Sequence, residues 1–506
     1  MQKVKPNPHR LTNVKQWRVG EDGKLRVKRL RKYLDGVYDG EFIDGKRDGE
    51  GTLTKNDGTT YKGFFENGTF NGKGILQWES FQINGKLANG KKYEGGFKYG
   101  KMHGEGKLFD GFGNVWEGNW QDGNFTGKGT LRKHNGEYQE GLWLKGKLHC
   151  DDAIINFHNG DKYKGPVVLG KMCGKSGYYE YSNGSGFYTG NFYQGLMHGS
   201  GKRCFMNKST YSGDYVDGIN SGYGIMEFKN HDTFENYKGQ WNNGQPHGKG
   251  ELVFTKRKHG KAFFKGDFYK GVIHGCGKLI YQGQNNFYDG DFKACSNTKK
   301  LSSELSYQLL DGKRNGRGTR QWSSGNRFEG SWHNDNMMYG TYTNVGNNSI
   351  FVGGFENNKK SGHGKETWRS LNSESYRDPV LRWKHDVEGI CIYKGEYKND
   401  FFHGKGSFLA PDGRSFEGDW KKGKQHGHGV AVLLGRHELG NYQRMSIGKY
   451  GSLYRALKYI GEWENGVRHG KGKLVYLDGS EKEGQFVRGQ LDGTIIARYF
   501  RNEEKK

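Results

Sequence analysis

Proline and cysteine are scarce in this sequence, with six of each among 506 residues. The cysteines are Cys150, Cys173, Cys204, Cys276, Cys295 and Cys391. They include no Cys-x-x-Cys pair and no regular spacing, so neither a zinc knuckle nor a disulfide framework is indicated. A reduced, intracellular compartment is the simplest reading. Long apolar runs are also missing. Val430–Leu434 is among the longest, far short of the roughly 20 residues that a membrane-spanning helix needs. The start, Met1-Gln-Lys-Val-Lys-Pro, has no apolar signal-peptide core. Catalytic signatures are lacking too: there is no Gly-x-Ser-x-Gly elbow and no kinase catalytic loop. Gly170-Lys-Met-Cys-Gly174-Lys175-Ser176 approaches a phosphate loop, but Leu169 stands where that motif requires glycine. The expectation is a chain with no catalytic, cofactor-binding or metal-binding residues.

What is abundant is glycine, 86 residues, alongside 14% aromatics and a mean hydropathy of -0.97. This glycine content has no collagen period, and the aromatic share is too high for a disordered chain. Tight turns with aromatic plates between them suit a repetitive β architecture. The net charge of +25 favours acidic partners: anionic lipid, acidic protein tails or nucleic acid. A well-solvated solenoid surface would account for it equally well.

The stretch Tyr237-Lys-Gly-Gln-Trp-Asn-Asn-Gly-Gln-Pro-His-Gly-Lys-Gly250 sets the pattern, and Tyr93–Gly106 and Tyr459–Gly472 repeat it in register. Units begin at Tyr38, Tyr61, Tyr93, Trp116, Tyr138, Tyr163, Tyr188, Tyr211, Tyr237, Phe264, Tyr288, Phe328, Phe351, Tyr393, Phe416 and Tyr459, with a degraded last unit at Lys482, seventeen in all. Such periodicity decides the fold before any single motif does. Insertions interrupt it near 79–90, 294–310, 369–390 and 435–456.

Each unit reads as a β-hairpin. Residues 237, 239 and 241 share one strand face. The glycine between two aromatics leaves room for a ring from the neighbouring strand to lie over the backbone. On the second strand Gly248, Gly250, Leu252 and Phe254 share a face, and the His-Gly pair is placed at the hairpin turn. Asp57-Gly58, Asn135-Gly136, Asn159-Gly160, Asp412-Gly413 and Asp478-Gly479 close units. The expected fold is all-β: an elongated single-layer antiparallel β-hairpin solenoid, with a few inserted loops or short helices. At about 4.8 Å per strand, seventeen hairpins give a ribbon on the order of 160 Å long. Three segments follow: a basic N-terminal segment at 1–33, the array at 34–494 and a charged tail at 495–506. A single layer is expected to expose its aromatic face unless a second copy or a partner covers it.

At these residues the chain resembles the MORN repeat family (membrane occupation and recognition nexus), whose pattern is Tyr-x-Gly-x-Trp/Phe-x-x-Gly-x-x-His-Gly-x-Gly. The match is nearly complete at Tyr188–Gly201, Tyr237–Gly250, Phe264–Gly277 and Tyr459–Gly472. Asn71 and Thr126 replace the histidine in two units, Pro166 and Val167 interrupt a third, and Gly141 is displaced. The resemblance implies a β-hairpin scaffold or tether. It holds protein partners in a cilium, axoneme or other cytoskeletal assembly, or associates with itself. The alternative is a peripheral membrane tether that binds anionic phospholipid.

The candidate contact residues follow from these two readings. Between Lys3 and Lys32 eleven basic residues face only Glu21 and Asp22. Lys24, Arg26, Lys28, Arg29, Arg31 and Lys32 are the candidate lipid or partner contacts, on a segment readable as a strand or a short helix. In the insertion near 369–390, Trp368, Tyr376, Leu381 and Trp383 are candidate partner contacts. Nucleic acid is disfavoured, because rings needed for base stacking are required by the repeats. The recurring His103, His198, His247, His274, His403, His426 and His469 read as histidines packing on neighbouring rings. Equivalent copies lie about 9–10 Å apart by strand spacing, too far to share one ion. Glu94, Glu117, Glu329 and Glu417 read as partners for lysines across strands.

Overall fold

The computed structural model describes residues 16–20, 23–79, 81–83, 86–88, 90–255, 262–281, 285–293, 312–370, 388–433 and 456–498. Among them are forty β-strands and no helix. Phe81–Ile83 and Lys86–Ala88 pair only with each other, so the insertion near 79–90 carries a small hairpin where a loop or short helix was expected. The remaining strands form single-layer antiparallel sheet, in which successive hairpins lie side by side in sequence order. The all-β class and the hairpin array are therefore as the sequence indicates. The chain divides into two compact units. One ends at Asn230 and includes Trp241–Gly244; the other comprises His231–Gln240 and the chain from Gln245 onwards.

Within a hairpin the tight turn lies earlier than the sequence suggests. Tyr99 and Gly100 have φ of 49° and 79°, and Asn67 and Gly68 have 48° and 89°. Two successive positive φ values make a type I′ turn, whose twist matches the strands that it joins. The His-Gly pair is not at this turn. His103 lies within the strand Lys101–Phe109, and Gly104, at φ 73°, makes a bulge where the pairing shifts between Met102 and Gly106. Such a bulge needs the left-handed conformation that glycine adopts without strain. Between hairpins the sequence reading holds: Gly58 donates its N–H to the Lys55 carbonyl at 3.1 Å, and Thr59 donates to Asp57 Oδ1 at 2.9 Å.

The core is a row of rings lying on glycines. Gly63 and Gly74 face each other across the hairpin of Tyr61. A methyl group on Gly74 would lie 2.4–2.6 Å from atoms of the Tyr61 ring. The ring over the first glycine thus comes from its own strand, not the neighbouring one. The Tyr61 hydroxyl donates to the Phe64 carbonyl at 3.0 Å, and Tyr93, Tyr188 and Tyr393 repeat this contact three residues on. Outside the units of Trp116, Tyr138 and Tyr163, the first ring typically meets the second aromatic of its own unit and that of the next edge-on. Tyr61 lies 5.0 Å from both Phe65 and Phe97. In the other unit Tyr393 lies 5.2 Å from Tyr397 and 5.3 Å from Trp420. Edge-to-face pairs at these separations are favourable beyond the area they bury.

A third residue, directly after the turn, lies over the first ring. Phe70 stacks on Tyr61 at 3.8 Å and Phe402 on Tyr393 at 3.7 Å. Elsewhere the position holds a cation, as with Arg468 5.7 Å from the Tyr459 ring centre and Lys360 5.1 Å from that of Phe351. These neighbours leave Tyr38, Tyr93, Tyr188, Tyr237 and Tyr459 fully buried within one chain. These rings are therefore covered within one chain. The backbone also joins hairpins: turn glycines Gly68, Gly100 and Gly123 donate to the carbonyls of Arg47, Phe70 and Met102 in the preceding hairpin, at 2.8–2.9 Å.

Two outcomes follow. Gly74→Ala should cost about 1–3 kcal/mol by overpacking, whereas Gly68→Asn in the adjoining turn should cost less than about 1 kcal/mol; thermal denaturation distinguishes them, and equal effects would contradict the ring-on-glycine core. Burial pushes the Tyr188 and Tyr459 phenols up to about 12 and raises those of Tyr61 and Tyr93 as well. The folded protein thus holds these protons more tightly than the unfolded chain. Their contribution to stability is complete below pH ~10 and is lost as pH rises through the folded values. Absorbance titration should show the core set ionising only with unfolding.

Candidate functional site

The described part of the basic N-terminal segment is built into the sheet. Leu25–Tyr33 is a strand that pairs with Gln16–Val19 on one side and Gly36–Ile43 on the other. Its charged residues do not form one patch. Arg26 is buried and donates to Asp48 at 2.9 Å, with Glu41 3.9 Å away. Asp48 occupies the histidine position of the first repeat. Arg29 packs over Phe42 and Arg31 over Tyr33. Lys24, Lys28, Arg31 and Lys32 are exposed. Thus Arg26 and Arg29 serve the end of the core, while the other four face solvent.

Of the insertion residues, Trp368 lies on the strand Lys359–Ser370 and is half-buried, with its ring 6.2 Å from Phe402 and 5.8 Å from Phe408. Tyr376, Leu381 and Trp383 lie outside the described residues, as do the insertion at 294–310 and most of that at 435–456. Lys293 pairs with Lys313, which puts the 294–310 insertion in place of a tight turn. Ser370 pairs with Gly389, which puts the next insertion on the opposite edge of the sheet.

The histidines pack locally. His198 Nδ1 lies 3.5 Å from the Asp217 N–H, and the rings of His247 and His274 lie 5.4 and 5.8 Å from that of Tyr269. Among the described residues no group of three or more His, Cys, Asp or Glu side chains is placed to hold a metal ion. Of the recurring carboxylates, Glu117 pairs across strands with Lys107 at 3.1 Å, and Glu329 pairs within its strand with Arg327 at 2.9 Å. Glu94 pairs with Lys92.

One concave site stands out on the face opposite the rings. A groove of about 860 Å³ crosses the strands from Tyr339 and Val352, past His363, Lys365, Lys394, Lys405 and Ser407, to Glu417, His428 and Val430. Its floor is a continuous row of facing glycines: Gly364, Gly395, Gly406, Gly418 and Gly429. The glycines that admit the rings on one face thus leave an open channel on the other. The lining carries three lysines and two histidines against one carboxylate. Two further carboxylates stand at the margin. Glu396 accepts from the Lys405 N–H at 3.1 Å. Asp419 accepts from the His428 N–H and pairs with the Lys405 ammonium at 2.6 Å. Against the opposing effect of burial, the Lys405 ammonium and the His428 N–H hold the Asp419 carboxyl below its ordinary value. The groove can hold an anion; it contains no paired nucleophile and base. Sequence reasoning missed it because its members come from seven strands, with only the glycine row visible as a period.

The buried Arg26–Asp48 pair gives a direct test of the first strand's role. Asp48→Ala should cost on the order of 1–3 kcal/mol, because it removes the carboxylate hydrogen-bonded to a buried cation, whereas exposed Lys32→Ser should change stability by less than about 0.5 kcal/mol. Urea denaturation measures both, and a neutral Asp48→Ala would show that the segment is not anchored.

Comparison with known proteins places this architecture. The MORN repeat model matches fourteen segments: 38–60, 61–81, 93–111, 116–138, 188–210, 211–233, 237–257, 264–285, 308–327, 328–348, 351–373, 393–413, 416–432 and 459–481. Together they make up more than half of the chain. No match falls between 139 and 187, yet the strands Tyr138–Leu144, Lys162–Val168 and Gly174–Glu180 continue the sheet there. Mouse Alsin is 34% identical over 89 residues, which is 17% of this chain and 5% of Alsin, so the likeness spans a twentieth of that relative's length. On the repeat matches and the hairpin architecture together, the chain belongs to the MORN repeat family.

Proposed function

We propose that the chain is a non-catalytic scaffold that holds partner proteins along its successive hairpins, in a ciliary, axonemal or other cytoskeletal assembly. The observation that carries this reading is the division of labour between the faces. The large rings are consumed in the core, and Tyr61, Tyr288 and Phe416 are at most 1% exposed. What remains for contact is an outer face on which polar side chains alternate with exposed apolar ones such as Ile75, Ile225 and Tyr339, together with insertions on the sheet edges. Equivalent positions recur every two strands, about 9–10 Å apart. Such a surface suits several simultaneous contacts at fixed spacing. Tagged full-length protein in its own cells should remain with the detergent-resistant skeleton or axoneme; complete release by detergent would overturn the reading.

A second reading, a membrane tether binding anionic phospholipid, is favoured by one feature. On and beside the first strands, the exposed Lys28, Arg31 and Lys32 alternate with Leu25, Leu30 and Leu34, which are 55%, 54% and 102% exposed. Cations next to exposed apolar side chains suit the bilayer interface, where each basic residue contributes about 1 kcal/mol. Flotation with phosphatidylserine vesicles should then fall sharply in a Lys28→Ser/Arg31→Ser/Lys32→Ser variant, and vesicle-independent behaviour of the wild type would exclude the tether.

A further inference from the structure

We infer that the glycine-floored groove takes an extended acidic peptide from a partner protein, with carboxylates over its centre and apolar residues at its ends. This deepens the scaffold reading and rests on it.

The argument starts from one row of side chains on the outer face. Elsewhere in this row Lys107 faces Glu117, Lys265 faces Glu251, and Lys278 faces Asp289, each in an ion pair of 2.8–3.9 Å, while Lys62, Lys164 and Lys202 face neutral residues. Lys265 and Lys278 also face each other, but those carboxylates flank them. At the centre of the groove two lysines meet with no carboxylate opposite either. Lys365 faces Lys394 directly, and their outer neighbours are Val352 and Ser407. Both lysines are exposed, and among the described residues neither is in an ion pair. Like charges directly opposite each other destabilise a sheet. A bound anion removes that penalty. The same face offers His363 and His428 nearby, while Lys405 is already held by Asp419.

The shape selects the class of anion. The groove spans seven consecutive strands, from Asn336–Asn344 to Lys424–Val432. Six strand intervals give a length of about 29 Å, which is about nine residues of extended chain. Its ends are apolar and open, with Tyr339 60%, Val352 40% and Val430 37% exposed. A single phosphate would fill only the centre. A flat bilayer meets a concave surface poorly and would leave the floor unused. A peptide crossing the strands would be recognised by its side chains, with the lysine pair setting the position of its acidic block.

The test uses full-length protein and two labelled nonapeptides, each with two leucines at either end and a centre of five glutamates or five glutamines. Fluorescence anisotropy should show saturable binding of the glutamate peptide, at least tenfold tighter than that of the glutamine peptide, and weakened by salt. Lys394→Glu should reduce that binding tenfold or more, and Lys107→Ser, outside the groove, should leave it unchanged. Because Lys394→Glu replaces a like-charged pair with an opposite one, its melting temperature should hold or rise, which separates lost binding from lost folding. Equal binding of the two peptides, or full binding by Lys394→Glu, would overturn the proposal. Phosphatidylserine vesicles form a third arm: vesicle binding that Lys394→Glu abolishes, without peptide binding, would assign the groove to lipid and overturn it too. Detergent retention is read separately, so failure here leaves the scaffold reading intact.

Discussion

An aromatic ring lying flat across two facing glycines is the contact on which the rest of the molecule depends. Neither glycine can carry a methyl group, because the ring and the opposite backbone occupy that space: a methyl group on Gly95 would lie 2.4 Å from the Gly106 Cα. The ring in turn needs a neighbour on every side. It finds the second aromatic of its own hairpin, that of the next, and the residue after the tight turn. No ring is buried by its own hairpin alone, so a single unit is not a folding unit and stability grows by nearest-neighbour contact. Ends must be treated differently. At the N-terminal end, Arg29 packs on Phe42 and Arg47 on Tyr33 and Tyr38, so guanidinium groups take the place of missing rings. At the other end, Phe486 closes the row against Tyr459 at 4.9 Å.

Much of this was legible in the sequence, for physical reasons that also mark where legibility stopped. The period and the alternation within strands revealed the hairpins and their inward face, because both are local properties of spacing. Leu53, Leu131, Phe408 and Leu474 are buried as that alternation requires. The His-Gly pair was misplaced because a left-handed glycine serves equally in a turn or a bulge, and composition does not distinguish them. The residue lying over the first ring was invisible, since Arg47, Phe70, Asn220 and Gln425 share no chemical type; what they share is a place opposite the second aromatic. The basic character of residues 24–32 was plain. That Arg26 is bound to Asp48, 22 residues away, required the fold.

The same glycines divide the molecule into a closed face and an open one. The ring side is dry, uniform and tolerant of little change. The outer side carries whatever charge each repeat happens to hold, and its pattern varies from unit to unit with little effect on packing. Family membership therefore says little about task, while local departures from the charge pattern say more. The lysine pair at 365 and 394 is such a departure, placed on a floor that glycine has left bare.

The central claim is that neighbouring hairpins are locked together by rings on glycine and by turn N–H groups donated to the preceding hairpin. Amide hydrogen exchange on the native full-length chain tests it most directly. The account expects the amides of Gly68, Gly100, Gly123 and Gly146, which sit at turn tips but donate to Arg47, Phe70, Met102 and Phe125, to exchange as slowly as those of the strands beside them. Exchange of these glycines at the rate of free loops, with only the strands protected, would contradict it.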